Sequence, residues 1–333
     1  MSKIGSYQSI QCLRAVAVLM VALVHLSPQQ VAIGAAGVDI FFVISGFIMA
    51  TIGAPETPST FAVRRVARIV PLYWAVTLFM CALALKPGFF SNFTFDIPRL
   101  VMSLFFIPYR DVDGIIWPLV QVGWTLNLEI FFYAVFMLCL LTARPVLAAI
   151  GAILVLIVVG LLLDPQQAAP IIWTSPLLAE FLFGMLIAIL PRPRNRALAL
   201  AVTAGGILWF AIAAASQVTP DNEGWRFVVW GGGAALLVLG CLSLEESGAW
   251  PQAARPLALL GDASYSFYLL HGLVIALVVK LLGHGLAAGI VVLTVSTVAS
   301  FLSLHLFERP TARLVRGALS RGRGRGRSIR VLL

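Results

Sequence analysis

Cys12-Leu13-Arg14-Ala15-Val16-Ala17-Val18-Leu19-Met20-Val21-Ala22-Leu23-Val24-His25-Leu26 decides the architecture of this chain. Apart from Arg14 and His25, every residue in the stretch is apolar. A charged side chain in the middle of such a run costs roughly 2.5–3.5 kcal/mol on membrane-insertion scales. The two polar residues stand eleven positions apart. At 100° per residue that is three turns plus about 20°, so they share one helix face, about 16 Å apart along the axis. A basic group near one end of a membrane helix and a titratable imidazole near the other mark a line of polar function through the bilayer. The purely structural alternative is an arginine that snorkels to the headgroups and a histidine satisfied inside a bundle.

Composition extends the membrane reading to the whole chain. Of 333 residues, 60% are apolar and 11% charged, and the mean hydropathy is +0.98. A soluble chain carries about twice that charge fraction. The apolar runs are near 18–20 residues long, which suits helices crossing a core of about 30 Å rather than the shorter, alternating strands of a barrel. The expected fold is all-α, a polytopic transmembrane bundle of about ten spans: 9–27, 34–53, 69–86, 124–143, 146–163, 174–190, 197–215, 225–243, 263–282 and 285–306. The shorter segment 97–108 reads as an interfacial or re-entrant helix in the longest loop.

Lysine and arginine set the expected orientation. With the N-terminus inside, the inner segments hold 17 of these residues, among them Lys3, Arg64, Arg65, Arg68, Arg144, Arg192, Arg194, Arg196, Arg255, Arg309, Arg313 and Arg316. The outer segments hold five: Lys86, Arg99, Arg110, Arg226 and Lys280. The asymmetry predicts that both termini are cytoplasmic, and an even number of spans agrees. The net charge of +9 is then mainly an orientation signal, and no nucleic-acid partner is expected. Residues 1–310 form the expected membrane domain. Residues 311–333, with Arg-Gly alternation from Arg321, form a basic cytoplasmic tail expected to be disordered and close to anionic lipid. Cys12, Cys81, Cys139 and Cys241 all fall within spans and read as buried free thiols.

The candidate chemistry lies mostly in the N-terminal half. Asp39, in Gly37-Val38-Asp39-Ile40-Phe41-Phe42-Val43-Ile44-Ser45-Gly46-Phe47, enters span two from outside at a depth similar to that of His25. A carboxylate there would fix the tautomer of the imidazole and raise its basicity. Arg65 and Arg68 stand at i, i+3 before Pro71-Leu72-Tyr73-Trp74. Two guanidinium forks at the cytoplasmic surface suit a phosphorylated ligand, and a positive-inside anchor with interfacial aromatics is the structural alternative. In Trp124-Thr125-Leu126-Asn127-Leu128-Glu129, Asn127 and Glu129 enter from the outer side. The acid could bond a sugar hydroxyl, pair with His25 or Arg14, or stay protonated. Span nine opens with Asp262 and Ser264 as capping residues and carries Tyr268 and His271 at i, i+3. Glu180 reads as structural, and His284 and His305 are weaker candidates. There is no HExxH, no paired cysteine motif, no GxSxG and no Walker A sequence. No metal site is expected.

Taken together and in order, Arg14–His25, Gly37–Phe47, Arg65–Trp74, Trp124–Tyr133 and Ser264–His271 resemble the membrane-bound acyltransferase family 3. Within it they are most similar to exopolysaccharide-production members. The resemblance covers nearly the whole chain. It implies O-acyl transfer, acetyl first among the candidates, from cytoplasmic acetyl-CoA or another acyl-CoA. The implied acceptor is a hydroxyl of a surface polysaccharide or its lipid-linked saccharide precursor. It also implies a multi-pass protein of the bacterial plasma (inner) membrane with no tightly bound cofactor. It places Arg14 and His25 at the reaction and Arg65 and Arg68 at the donor; Tyr73 and Trp74, which follow these arginines in the sequence, are expected at the donor as well. His25 would deprotonate the acceptor or carry the acyl group transiently, with Asp39 or Glu129 as orienting acid. Arg14 would hold donor phosphate or stabilise the thioester oxyanion. Trp124, Asn127 and His271 are the expected contacts to the acceptor. A transporter with an intramembrane relay of His, Asp and Arg is the competing expectation.

Overall fold

The computed structural model describes residues 7–27, 32–85, 95–216 and 223–327, so Lys3, Lys86 and Arg330 lie outside the described residues. Fourteen α-helices are present among the described residues: α1 (Gln8–Leu26), α2 (Ala36–Ile48), α3 (Pro58–Ala84), α4 (Ile97–Leu104), α5 (Trp124–Cys139), α6 (Pro145–Leu163), α7 (Ala168–Trp173), α8 (Leu178–Ile189), α9 (Arg196–Ala215), α10 (Glu223–Glu246), α11 (Arg255–Asp262), α12 (Ser264–Leu282), α13 (Leu286–Ser303) and α14 (Arg309–Arg327). No strand occurs among the described residues. Ten helical units are long and apolar enough to cross a membrane, α7 with α8 forming one and α13 continuing into α14. The protein is an integral, multi-pass membrane helical bundle.

Local chemistry sets the helix ends. Thr57 caps α3, its hydroxyl accepting from the Thr60 amide at 3.3 Å, and Pro58 occupies the first turn where no amide donor is needed. Asp96 caps α4 by accepting from the Arg99 amide at 2.8 Å. The start of α1 is capped from far along the chain, where the Glu245 carboxylate accepts from the Gln8 and Ser9 amides, each at 2.8 Å. That contact ties α1 to the end of α10 and meets two of the orphan donors of the first turn.

Two helix boundaries depart from expectation. The third span was expected from residue 69, but its helix begins at Pro58 because the Thr57–Pro58 cap lies eleven residues upstream. Arg64, Arg65 and Arg68 are therefore helical. The segment from residue 311, expected to be disordered, is helical to Arg327, since a π-helical turn over Leu304–Glu308 carries α13 directly into α14, which packs along α3. The segment around 97–108 does contain a short helix, α4, of eight residues, too short to span.

The bundle centre is the close packing of α1, α2, α8 and α10. Gly46 and Gly184 make it possible. A Cβ at Gly46 would lie 2.1 Å from the Phe181 carbonyl oxygen, and one at Gly184 would lie 2.0 Å from that of Val43. The two helices thus touch backbone to backbone, as small residues allow in membranes. Against α2 and α8, α5 adds a stack of rings in which Phe132 and Phe181 have centroids 4.2 Å apart. The loops between α4 and α5 fold over one end of this bundle and leave two cavities beneath.

Candidate active site

Arg14 and His25 lie on one continuous helix but line different chambers. The Arg14 chamber is a slot of about 80 Å³ among α1, α2, α3, α5 and α12. Its polar lining is Arg14, Arg65, Arg68, Glu129, Ser45, Thr125, Ser264 and the tyrosines 133, 265 and 268. Three guanidinium groups thus face one carboxylate. Arg14 is 7% exposed and its Nη1 donates to Gln11 Oε1 at 3.2 Å. Arg65 is held between the Phe61 and Tyr133 rings, 5.0 and 5.8 Å from their centroids, and lies 3.8 Å from Glu56. Arg68, half-buried, turns into the slot. An anion with several charges meets this chemistry, because guanidinium forks bind phosphate and carboxylate oxygens in pairs.

Glu129 belongs to this chamber. It accepts from the Ser45 hydroxyl at 2.7 Å and from the Tyr133 hydroxyl. Its partners are therefore on α2 and α5 rather than His25. Asn127, two residues earlier, is turned about 200° around α5 from Glu129. It is buried outside the lining of the chambers, which corrects its expected place at the acceptor.

The His25 chamber has two lobes of about 480 and 460 Å³, both lined by His25, Trp117 and Val122. Trp124, Arg110 and Arg226 face the second lobe, and Tyr109, Arg99, Asp111 and Asp113 the first. Burial raises the Tyr109 phenol above its ordinary value, and its hydroxyl meets that of Ser103 at 2.9 Å. Aromatic faces, cations and carboxylates in a wide cleft match a polyhydroxylated ligand better than a purely apolar one.

The protonation of His25 follows from its neighbours. Its Nδ1 lies 2.7 Å from the Val21 carbonyl oxygen. A carbonyl only accepts, so the proton sits on Nδ1 and leaves the Nε2 lone pair free. His271 repeats the arrangement, with Nδ1 2.7 Å from the Tyr268 carbonyl. Its bare Nε2 lies 3.5 Å from His25 Nδ1, and the two rings meet edge-on with centroids 5.1 Å apart. His271 is fully buried, whereas His25 is exposed to its chamber. The ring that faces His25 Nδ1 is thus His271, which was expected at the acceptor.

Asp39 has a different partner. Its carboxylate takes both Arg226 Nε, at 3.1 Å, and Nη2, at 2.8 Å. Arg226 also donates to the Ala35 carbonyl at 3.2 Å and lies 5.7 Å from the centroid of the Trp124 ring. This corrects the expected Asp39–His25 pair: the carboxylate is fully buried and committed to a bidentate guanidinium. Its effect on the site is to fix Arg226 and Trp124 in the chamber wall. Sequence reading counted Arg226 only as an outer charge; its place three residues into an apolar helix was the available signal. Ser45 and Tyr133 lay inside quoted segments without a role.

Tyr73 and Trp74 do not join the arginines, a further correction. Eight residues separate Arg65 from Tyr73, about 12 Å along the helix. Tyr73 is buried against Phe106, ring centroids 4.7 Å apart, and Trp74 donates from Nε1 to the Leu104 carbonyl at 2.7 Å. Both fasten α3 to α4 and the loop after it.

A family model described as an acyltransferase domain matches residues 7–305. The exopolysaccharide production protein ExoZ of Rhizobium meliloti (strain 1021) is 39% identical over 84% of this chain and 90% of its own length. The O-acetyltransferase OatA of Staphylococcus aureus (strain NCTC 8325 / PS 47) is 24% identical over 78% of this chain, which corresponds to 49% of OatA. No solved structure matches.

Proposed function

The chain belongs to the acyltransferase family whose domain spans residues 7–305, and from that premise we propose that it moves an acetyl group from acetyl-CoA to a hydroxyl of an exopolysaccharide or its lipid-linked precursor. The observation that carries the reading is the division of labour between the two chambers. A narrow slot holds three guanidinium groups, and a wide cleft holds an imidazole whose Nε2 is free to take a proton. The slot admits a thin, anionic donor such as the phosphopantetheine arm of a coenzyme A thioester. The cleft has the width and aromatic lining for a sugar. The relatives favour this over the transporter reading: ExoZ is an exopolysaccharide production protein and OatA an O-acetyltransferase.

In the proposed mechanism Arg65 and Arg68 bind donor phosphates. Arg14, buried in the same slot on α1, polarises the thioester carbonyl and steadies the oxyanion that forms on it. His25 Nε2 removes the proton of the acceptor hydroxyl as it attacks, while His271 and the Val21 carbonyl hold Nδ1 in place. The carbon–sulfur bond breaks, the ester forms, and the hydroxyl proton ends on the CoA thiol. The positive-inside bias supports a cytoplasmic arginine slot and cytoplasmic termini, with the His25 cleft at the opposite face of a bacterial plasma membrane.

The test is incorporation of radiolabelled acetyl groups into envelope saccharide by membranes containing the unaltered protein or His25→Ala. Label with the first and its loss with a well-inserted second is the expected result. Equal label in both would remove His25 from the reaction, and no label in either would overturn acetyl-CoA as donor.

A further inference from the structure

The slot and the cleft are separated by a single layer of side chains. Val38 of α2 and Tyr268 of α12 line both. Each is buried to within 7% of full enclosure. Phe41 meets the Tyr268 ring edge-on, with centroids 6.0 Å apart. The far end of the ring is tied down: the hydroxyl donates to the Val122 carbonyl and meets the Thr125 hydroxyl, each at 3.0 Å. Val122 is itself part of the cleft wall. The Tyr268 carbonyl receives the Nδ1 proton of His271. One residue therefore touches the slot with its ring, the cleft wall with its hydroxyl and the histidine pair with its backbone.

The location matters because the groups assigned to the two substrates lie on opposite sides of this ring. Arg14 and His25 are about 16 Å apart along α1, and Tyr268 stands between their chambers. The backbone of α12 anchors the ring at one end, and two hydrogen bonds of its hydroxyl, to the Val122 carbonyl and the Thr125 hydroxyl, anchor it at the other. Releasing the hydroxyl frees the ring to swing without unfolding a helix turn.

The geometry points to Tyr268 as the movable partition of the enzyme, a specificity-determining residue that lets a small acyl group meet the acceptor while keeping water and the rest of the donor out of the cleft. The inference rests on the acyl-transfer reading above. With the partition intact, the thioester carbon exchanges its bond to sulfur for a bond to the acceptor oxygen, and the acceptor proton ends on sulfur. With the partition removed, water from the cleft takes the place of the acceptor, giving the free acid and the CoA thiol. The ring also limits acyl length, since a longer chain needs more of the wall to move.

Accessibility tests the wall apart from activity. Ser45 lines the slot, so Ser45→Cys is a reporter for a membrane-impermeant thiol reagent added separately to each face of sealed vesicles. Protein retaining Ser45 supplies the background from the four native thiols, all buried. Ser45→Cys alone is expected to react from one face only, and Ser45→Cys with Tyr268→Ala from both. Where Tyr268→Ala does not insert, Val38→Ala opens the same wall from α2. In protein retaining Ser45, Tyr268→Ala is also expected to release CoA from acetyl-CoA severalfold faster without acceptor and to accept butyryl-CoA. Reaction of Ser45→Cys alone from both faces would overturn the partition, as would one-faced reaction in both opened variants. The labelling pattern expected here, with no transfer from acetyl-CoA or any other acyl-CoA by the unaltered protein, would leave the partition standing and overturn the acyl-transfer reading instead.

Discussion

His271 points the unprotonated Nε2 of its ring at Nδ1 of His25, 3.5 Å away, across 246 positions of sequence. The pair is asymmetric. His271 is fully buried and His25 is exposed to the cleft, so only His25 can meet a substrate. As His25 takes a proton on Nε2 it becomes a cation, and the lone pair of His271 faces the charge that develops.

That relationship predicts a positioning role for His271. His271→Ala should lower kcat by about 10–100-fold, by analogy with the loss of the outer partner of a metal-bound histidine. KM for acetyl-CoA should hold, because the arginine slot is untouched. His271→Gln, which keeps an acceptor oxygen near His25, should restore part of the rate. Steady-state kinetics on the three proteins in detergent check this. An equal loss in the Ala and Gln variants would reduce His271 to packing.

Asp39 is expected to matter for folding rather than for proton transfer. Its partner Arg226 is 6% exposed, and removing one member of a buried ion pair costs about 3–5 kcal/mol, toward the low end here because the buried Glu180 carboxyl also acts on Arg226. Asp39→Ala should therefore lower the melting temperature sharply. Joining it with Arg226→Met should recover part of the loss, since the guanidinium that lost its bidentate partner goes too. The double variant should keep a measurable rate, reduced through the altered cleft wall. A double variant no more stable than Asp39→Ala would show that the pair is not the source of the effect.

The ten spans were legible because hydropathy over 18–20 residues reflects a bilayer thickness that no tertiary contact alters. The ends were read within a few residues except at two places: Pro58, where a capping threonine and a helix-starting proline extended α3 through its arginines, and residue 306, where the π-helical turn carried the last span on into α14. The rotation of each helix was less legible. The depth of Asp39 pointed to His25, but depth does not say which neighbour a side chain faces, and Arg226 on α10 filled that place. Asn127 and Glu129 sit two residues apart and so face different sides of α5. Tyr268 was visible only as a neighbour of His271 on one helix face; its place between two chambers depends on how α12 meets α2 and α5.

The contact of α2 with α8 has little tolerance. A Cβ at Gly46 would sit 2.1 Å from a backbone oxygen of Phe181, so α8 would have to move rather than a side chain. Gly46→Ala should destabilise the bundle by about 1–3 kcal/mol, as overpacking does elsewhere. It should lower the yield of inserted protein and its melting temperature in detergent together. Gly151→Ala, where nothing lies within 4 Å of the added carbon, is the matched control and should leave both unchanged.

The three arginines of the slot should separate kinetically. Arg68 is half-buried and assigned to donor phosphate, so Arg68→Ala removes binding shared by the ground and transition states. A charge-assisted hydrogen bond is worth about 1.5–3 kcal/mol, so KM for acetyl-CoA should rise about 10–100-fold with kcat nearly kept. Arg14 is assigned to the thioester carbonyl, where negative charge appears only as the acceptor attacks. Arg14→Ala should lower kcat by about 10²–10³-fold, the cost of losing one oxyanion donor, with a smaller change in KM. Arg14→Lys keeps the charge but loses the planar fork, and it should recover only part of the rate. Initial rates across a range of acetyl-CoA concentrations distinguish the two roles. A pure KM effect at Arg14 would move it to the phosphates, and a pure kcat effect at Arg68 would move that residue toward the reacting carbon.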